Sequence, residues 1–124
     1  METDPRLVEI LRDTIVCMVR QGEHVAPDLS ARQLAVLLIC CLDGTPDMVS
    51  ELRDKLNIPK AAIARTTNRL VQLGLLAREN DARDRRRVLL SATVSGHAFV
   101  RELGTKMKAA AEHELPAKAL VATG

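Results

Sequence analysis

The residues best equipped for chemistry lie side by side in the run Asp81-Ala82-Arg83-Asp84-Arg85-Arg86-Arg87. Four arginines fall within five positions, and two carboxylates sit among them. A guanidinium is a permanently charged fork of donors that matches phosphate oxygens and the edge of guanine. The chemistry this points to is recognition of a polyanion. A solvated, salt-bridged loop is the plain alternative.

Other reactive residue types fall into no catalytic or metal-binding pattern. Ser91, Ser95 and His97 are close in sequence, but no acid supports them, so no catalytic set and no enzyme are expected. His24, His97 and His113 share no ligand spacing. The cysteines (Cys17, Cys40 and Cys41) lack a C-x-x-C pair, which argues against a zinc site or a disulfide scaffold. No metal and no cofactor are expected, and a reducing cytoplasm fits best. Cys17 falls in the expected first helix, with only Arg20, one turn on, as a nearby cation. Cys40 and Cys41 lie in an apolar run and read as small core residues.

The net charge of +2 hides an asymmetry. Between Arg53 and Arg87, ten Lys and Arg oppose four Asp and Glu, giving +6, and the remainder of the chain carries −4. Such separation suggests one face aimed at nucleic acid. With one Phe and no Tyr or Trp, the core must be aliphatic. A length of 124 residues fits one domain, 1–124. The N-terminus is acidic and lacks the continuous apolar segment of a signal peptide. The longest apolar run, Leu34–Leu42, is too short to span a bilayer, and no membrane partner is expected.

The elements that must position the arginines can be read in order. Asp4 and Pro5 start a helix over Pro5–Arg20, with Leu7, Ile10, Leu11, Ile15 and Met18 at helical spacing. Its apolar surface is broad enough to need two partners, one of them outside its own core. Ser30-Ala31-Arg32-Gln33 is a capping box that opens a second helix, which runs to Leu42, is apolar nearly all round and is expected to be the most buried. Asp47 is expected to cap a short third helix, Met48–Leu56, which Asn57 ends through its tolerance of the left-handed conformation. Pro59 opens a fourth helix that Gly74 closes. These two short helices, over 48–73, form a helix-turn-helix. Ile63, Thr67 and Leu70 make the inward stripe of the fourth helix. Lys60, Ala61, Ala64, Arg65 and Asn68 fall on its opposite face, basic and small enough to approach a groove. Leu75–Ala77 and Val88–Leu90 then flank the arginine tip as a β-hairpin, a wing over 75–92. Thr93 caps a long helix to about Leu115, where Pro116 stops it.

This order resembles the MarR family of bacterial winged-helix transcription regulators, from about Leu7 to Leu115. The most specific part is Asp81-x-x-Asp84-Arg85-Arg86-Arg87-Val88-Leu89-Leu90-Ser91-x-Thr93-x-x-Gly96. Asp28-Leu29-Ser30-Ala31-Arg32-Gln33-Leu34 and Asn68-Arg69-Leu70-x-x-x-Gly74-Leu75 also match. The resemblance implies a mainly α fold with a small β-hairpin: a winged helix-turn-helix DNA-binding lobe over 30–92, flanked by dimerisation helices over 5–21 and 93–115. It implies that Lys60, Ala61, Ala64 and Arg65 enter the major groove and that Arg83, Arg85 and Arg86 lie at the minor groove or flanking phosphates. Asp84 would orient a wing arginine. Asn68 and Arg87 complete the expected DNA-binding set. The expected protein is a homodimeric repressor on a roughly palindromic double-stranded operator. A winged-helix protein-interaction module without DNA binding is the alternative. Pro59 stands where the family usually has a capping Ser, and Ala92 where it has a larger apolar residue, so looser packing is expected beneath the wing. The chain is shorter than many members, which leaves dimerisation to the two flanking helices. Family members often bind small aromatic inducers, but without Tyr or Trp the sequence predicts none here, and any small-molecule inducer stays unidentified. One branch of the family senses organic hydroperoxides through a cysteine near its first helix, which gives Cys17 a redox reading, but that branch surrounds its thiol with tyrosines and this chain has none.

Overall fold

Local capping explains most helix boundaries in the computed structural model, which describes residues 4–20, 28–43 and 46–112. Helix α1 spans Pro5–Val19, and the Asp4 carboxylate accepts from the Arg6 backbone N–H at 2.9 Å. Helix α2 spans Ala31–Leu42. Its capping box is complete: Ser30 Oγ accepts from the Gln33 N–H at 3.1 Å, and Gln33 Oε1 accepts from the Ser30 N–H at 2.9 Å. Helix α3, Val49–Leu56, stops at Asn57, which adopts the left-handed conformation (φ 52°, ψ 48°). Helix α4 spans Lys60–Gln72. It ends in a Schellman motif, in which the N–H groups of Gly74 and Leu75 donate to the carbonyls of Val71 and Leu70, both at 3.0 Å. Gly74 sits at φ +77°, where a side chain would be strained. Helix α5, Val94–Ala111, is capped by Thr93, whose Oγ1 accepts from the Gly96 N–H at 3.0 Å.

Three antiparallel strands follow the order β1-β3-β2: β1 is Asp47–Met48, β2 Leu76–Asn80 and β3 Val88–Ala92. The hairpin register pairs Leu76 with Ala92 and Asn80 with Val88, and β1 pairs Asp47 with Leu90. Two expectations need correction. Asp47 does not cap α3; it is a buried strand residue, and Met48 holds the cap position without a side-chain bond. Pro59 stands one place before the helix, in extended conformation, as the N-cap of α4. The expected end of the last helix near Leu115, the stop at Pro116, and the positions of His24 and His113 lie outside the described residues.

The chain divides into two compact units. One is Leu29–Val100, which holds α2, the sheet, α3, α4 and the first turns of α5. Its core is aliphatic, as the composition requires: Val36, Leu37, Leu52, Ile63, Leu70, Leu75, Leu76 and Leu90 are buried, with Phe99 and Ala92 packed against them. Gly96 is needed where α5 starts, because a Cβ there would lie 2.2 Å from the Leu75 carbonyl oxygen. Thr93 ties the same junction from the other side, its backbone N–H donating to that carbonyl at 3.1 Å.

The other unit contains α1 and α5 from Arg101 onward. The Arg6 guanidinium donates to the Ala111 carbonyl and joins the two helices. Here the burial departs from what the apolar spacing suggests. Asp13 and Thr14 are buried, whereas Leu7, Val8, Leu11, Ile15 and Val19 are exposed. Thr14 is satisfied within its helix, donating to the Ile10 carbonyl at 2.7 Å, and Asp13 accepts from Arg12 Nε at 2.9 Å.

Candidate nucleic-acid interface

Helix α4 presents two chemically distinct faces. Ala62, Ile63, Thr66, Thr67 and Leu70 are buried, and the two hydroxyls bond back to the helix, Thr66 to the Ala62 carbonyl at 2.8 Å and Thr67 to that of Ala64 at 3.1 Å. The same helix exposes Lys60, Ala61, Ala64, Arg65 and Asn68 together, as the helical spacing predicts. Small side chains between the cations leave the helix backbone accessible, which a groove-binding helix needs.

The tip beyond the hairpin is built by its two aspartates. Asp81 Oδ1 accepts from the Arg83 backbone N–H at 3.0 Å, and Asp84 Oδ1 accepts from that of Arg86 at 3.1 Å, two Asx turns in succession. The Asp81 N–H donates to the Arg87 carbonyl, and the Arg87 N–H to the Asp84 carbonyl, both at 2.9 Å. Asp84 also grips Arg86 through Nε at 3.1 Å and Nη2 at 3.3 Å, with Arg87 Nε at 3.8 Å. The hydrogen bonds from Arg86 hold the Asp84 carboxyl below the usual carboxylate range. The Arg86 side chain nonetheless stays 91% exposed, so its orientation is fixed while most of its surface remains free to bind. Arg83 and Arg85 are exposed and make no ion pair among the described residues.

The wing and α4 share a cavity of about 400 Å³, where Arg53, Lys60, Arg86 and Arg87 meet above a floor that includes Met48 and Ile63. On the other flank of α4, Arg65 shares a cavity of about 340 Å³ with Arg32 and Gln33 at the start of α2. Arg32 and Arg53 were missing from the sequence-predicted set. Arg53 lies in the basic segment, and Arg32 sits in the first turn of α2, but neither position is marked by sequence spacing.

A third residue that spacing misses is Arg78 on β2. Its Nη2 donates to Asn68 Oδ1 at 2.5 Å and to Thr67 Oγ1 at 3.3 Å, bridging hairpin and helix. Strand alternation puts Arg78 on the same face of β2 as the buried Leu76, and it says nothing of a partner ten positions earlier.

Away from this surface, Lys55 Nζ lies 3.2 Å from Asp43 and 3.7 Å from Asp47. Asp47 Oδ2 is buried and has no hydrogen-bond partner. Burial, and next the neighbouring Asp43, push the Asp47 carboxyl up to about 6. The bonds from Asp47 and Lys55 pull Asp43 the opposite way, and Asp43 raises Lys55 in turn. Burial pushes the Cys40 thiol up to about 12 and also raises Cys41, and both pack at the aliphatic core. Cys17 is half-buried on α1. Among the described residues no group of His, Cys, Asp and Glu is placed to hold a metal ion, and no helix is long and apolar enough to cross a membrane.

Comparison with known proteins agrees with this architecture. Residues 27–87 match the MarR family. No curated protein matches the sequence. The YusO protein from Bacillus subtilis is similar in structure, with a TM-score of 0.69 at 26% identity over 94% of this chain and 81% of that one. MarR itself is similar with a TM-score of 0.59 at 30% identity, over 83% of this chain and 75% of that one. CouR from Rhodococcus jostii RHA1, a protein bound to p-coumaroyl-CoA, shares the fold with a TM-score of 0.62 at 23% identity, over 82% of this chain and 66% of that one. The helix-turn-helix, the three-stranded wing sheet and these similarities lead to one conclusion: the chain belongs to the MarR family of winged-helix transcription regulators.

Proposed function

We propose that this chain is a homodimeric, sequence-specific repressor of the cytoplasm that places α4 in the major groove of double-stranded DNA and its arginine wing at the adjoining minor groove. The observation that carries the reading is the convergence of Arg53 and Lys60 with Arg86 and Arg87 around one cavity, beside the small, basic face of α4. Cations on three elements (α3, α4 and the wing) at one surface suit the regular spacing of phosphates on both sides of a groove. Ala61 and Ala64 let the helix approach closely. Arg65, exposed on that face, would pair with guanine, and Asn68 one turn later belongs to the same face. Arg83, Arg85, Arg86 and Arg87 serve the minor groove and its phosphates, and Asp84 holds Arg86 ready.

Dimerisation is supported by α1. Leu7, Leu11, Ile15 and Val19 recur every four residues and are 63%, 59%, 41% and 65% exposed, an apolar stripe that a second copy would cover. Two-fold symmetry would set two recognition helices in successive major grooves, about one helical turn apart. Occupying such a site excludes competing proteins, and repression needs nothing further of the chain.

The experiment is to sequence the genomic DNA the protein retains and to compare two variants on it. A short, roughly palindromic site is expected. Arg65→Ala should relax the choice of base, about 5- to 150-fold for a good bidentate pair, whereas Arg86→Ala should weaken binding to all sequences alike. Equal losses on operator and random DNA for Arg65→Ala would remove guanine reading from Arg65. Failure to enrich any sequence would overturn the proposal as a whole.

A further inference from the structure

Resting on the DNA-reading assignment of α4, we infer that Arg78 is a positioning residue that sets the hydrogen-bonding sense of Asn68 and so restricts which base that residue accepts. A guanidinium has donors and no acceptor. The Asn68 atom 2.5 Å from Arg78 Nη2 must therefore be its carbonyl oxygen, since the amide NH2 group could not accept from Arg78. The same Nη2 also donates to Thr67 Oγ1 at 3.3 Å, and Thr67 is 1% exposed and bonded to the Ala64 carbonyl. Arg78 is thereby held at a buried point of α4 and cannot follow Asn68 freely. Among the described residues it makes no ion pair, so no carboxylate draws it away.

The consequence is chemical. Asn68 turns its oxygen toward β2 and offers its NH2 group to whatever lies against the outward face of α4. Reading adenine through a bidentate pair requires an amide to accept from N6 and donate to N7 with both atoms toward the base. Asn68, with one lone pair of its oxygen taken by Arg78 and that atom drawn toward β2, is a poor acceptor for N6 but keeps its donors free. Its donors suit the acceptors of guanine (O6 and N7) and thymine (O4). Arg78 thus acts on specificity from the strand, through another side chain.

Selection from a library of randomised duplexes tests this with four full-length proteins: wild type, Asn68→Ala, Arg78→Gln and Arg78→Lys. Lysine remains a donor-only cation, whereas glutamine carries both donor and acceptor and lets the Asn68 amide turn over. Wild type should prefer guanine or thymine over adenine at one position per half-site, and Asn68→Ala should erase that preference alone. Arg78→Gln should reduce the same preference by about fivefold or more, leaving other positions unchanged, and Arg78→Lys should retain it. A merely structural or phosphate-binding arginine would instead lower affinity for every sequence together. Unchanged preferences in Arg78→Gln, or losses spread evenly over all positions, overturn the inference. A wild-type protein that enriches no sequence overturns the DNA-reading assignment, and this inference with it.

Discussion

The two units of the chain solve the burial problem in opposite ways. Leu29–Val100 closes its own core: Val36, Leu37, Leu52, Leu70 and Leu90 are wholly shielded, and the cations lie on its surface. In the other unit α1 buries Asp13 and Thr14 and leaves five large aliphatic side chains in the open. Exposed apolar area of that kind is costly in water at about 25 cal/mol per Å². The comparison separates a lobe complete as a single chain from a helix pair whose outer surface is suited to a second copy.

The sharpest way to break that contrast is one truncation in each unit. Leu37→Ala empties a fully buried position in α2 and should cost about 2–5 kcal/mol in denaturant unfolding. Leu11→Ala on α1 should change the stability of the isolated chain by less than about 0.5 kcal/mol, since its side chain has little burial to lose. If the two cost the same at dilutions where the protein is monomeric, the contrast is wrong. Leu11→Glu tests what covers the stripe. It should raise the dimer dissociation constant by about tenfold or more, because a carboxylate would be buried without a partner; sedimentation at graded concentrations reads this directly.

Even the complete unit has a flaw, at Asp47. Its carboxyl is raised to about 6 in the fold, above its value of 3.8 when unperturbed. The contribution it makes to stability is therefore fully present below 3.8 and lost as pH rises through about 6. Asp47→Asn should stabilise the protein near pH 8, by about 1–3 kcal/mol, and the advantage should vanish towards pH 3. Asp43, whose carboxyl is pulled the other way, contributes stability that is lost on acidification, so the double variant Asp43→Asn, Asp47→Asn should flatten the profile at both ends. A smaller effect belongs to the wing: Asp84→Ala should leave melting nearly unchanged and weaken DNA binding a few-fold, through the lost orientation of Arg86.

The ease with which these features read from sequence follows from how local they are. The Ser30–Gln33 box, the left-handed Asn57, the Gly74 stop and the Thr93 cap each depend on residues within a few positions, and the sequence reveals all four. The two faces of α4 follow from a single amphipathic stripe. Strand β1 was not legible, because two residues have no period and become a strand only by pairing with Leu89 and Leu90. Asp47 looked like a cap for the same reason: an Asp before a helix is a frequent cap, and nothing nearby signals that β3 will enclose it. The face of α1 was ambiguous in phase, since Leu7, Ile10, Leu11, Ile15 and Met18, with Val8 and Val19 beside them, form an apolar arc about half its circumference wide, and spacing cannot say which part meets its own unit. Arg78 was silent because its partners are brought to it by the hairpin. Lys60, Ala61, Ala64, Arg65 and Asn68 are legible as one exposed helix face; which bases they would meet depends on geometry beyond any spacing.

The central claim, that this surface reads DNA, is tested most directly by a salt titration of binding to the selected operator and to random duplex, with wild type and Arg86→Ala side by side. The logarithm of affinity should fall linearly with the logarithm of salt concentration, with a slope of about −0.9 for each phosphate neutralised. Operator should exceed random DNA by roughly a thousandfold or more, and Arg86→Ala should reduce the slope by about one. Binding that ignores salt, or that treats operator and random DNA alike, would contradict the account.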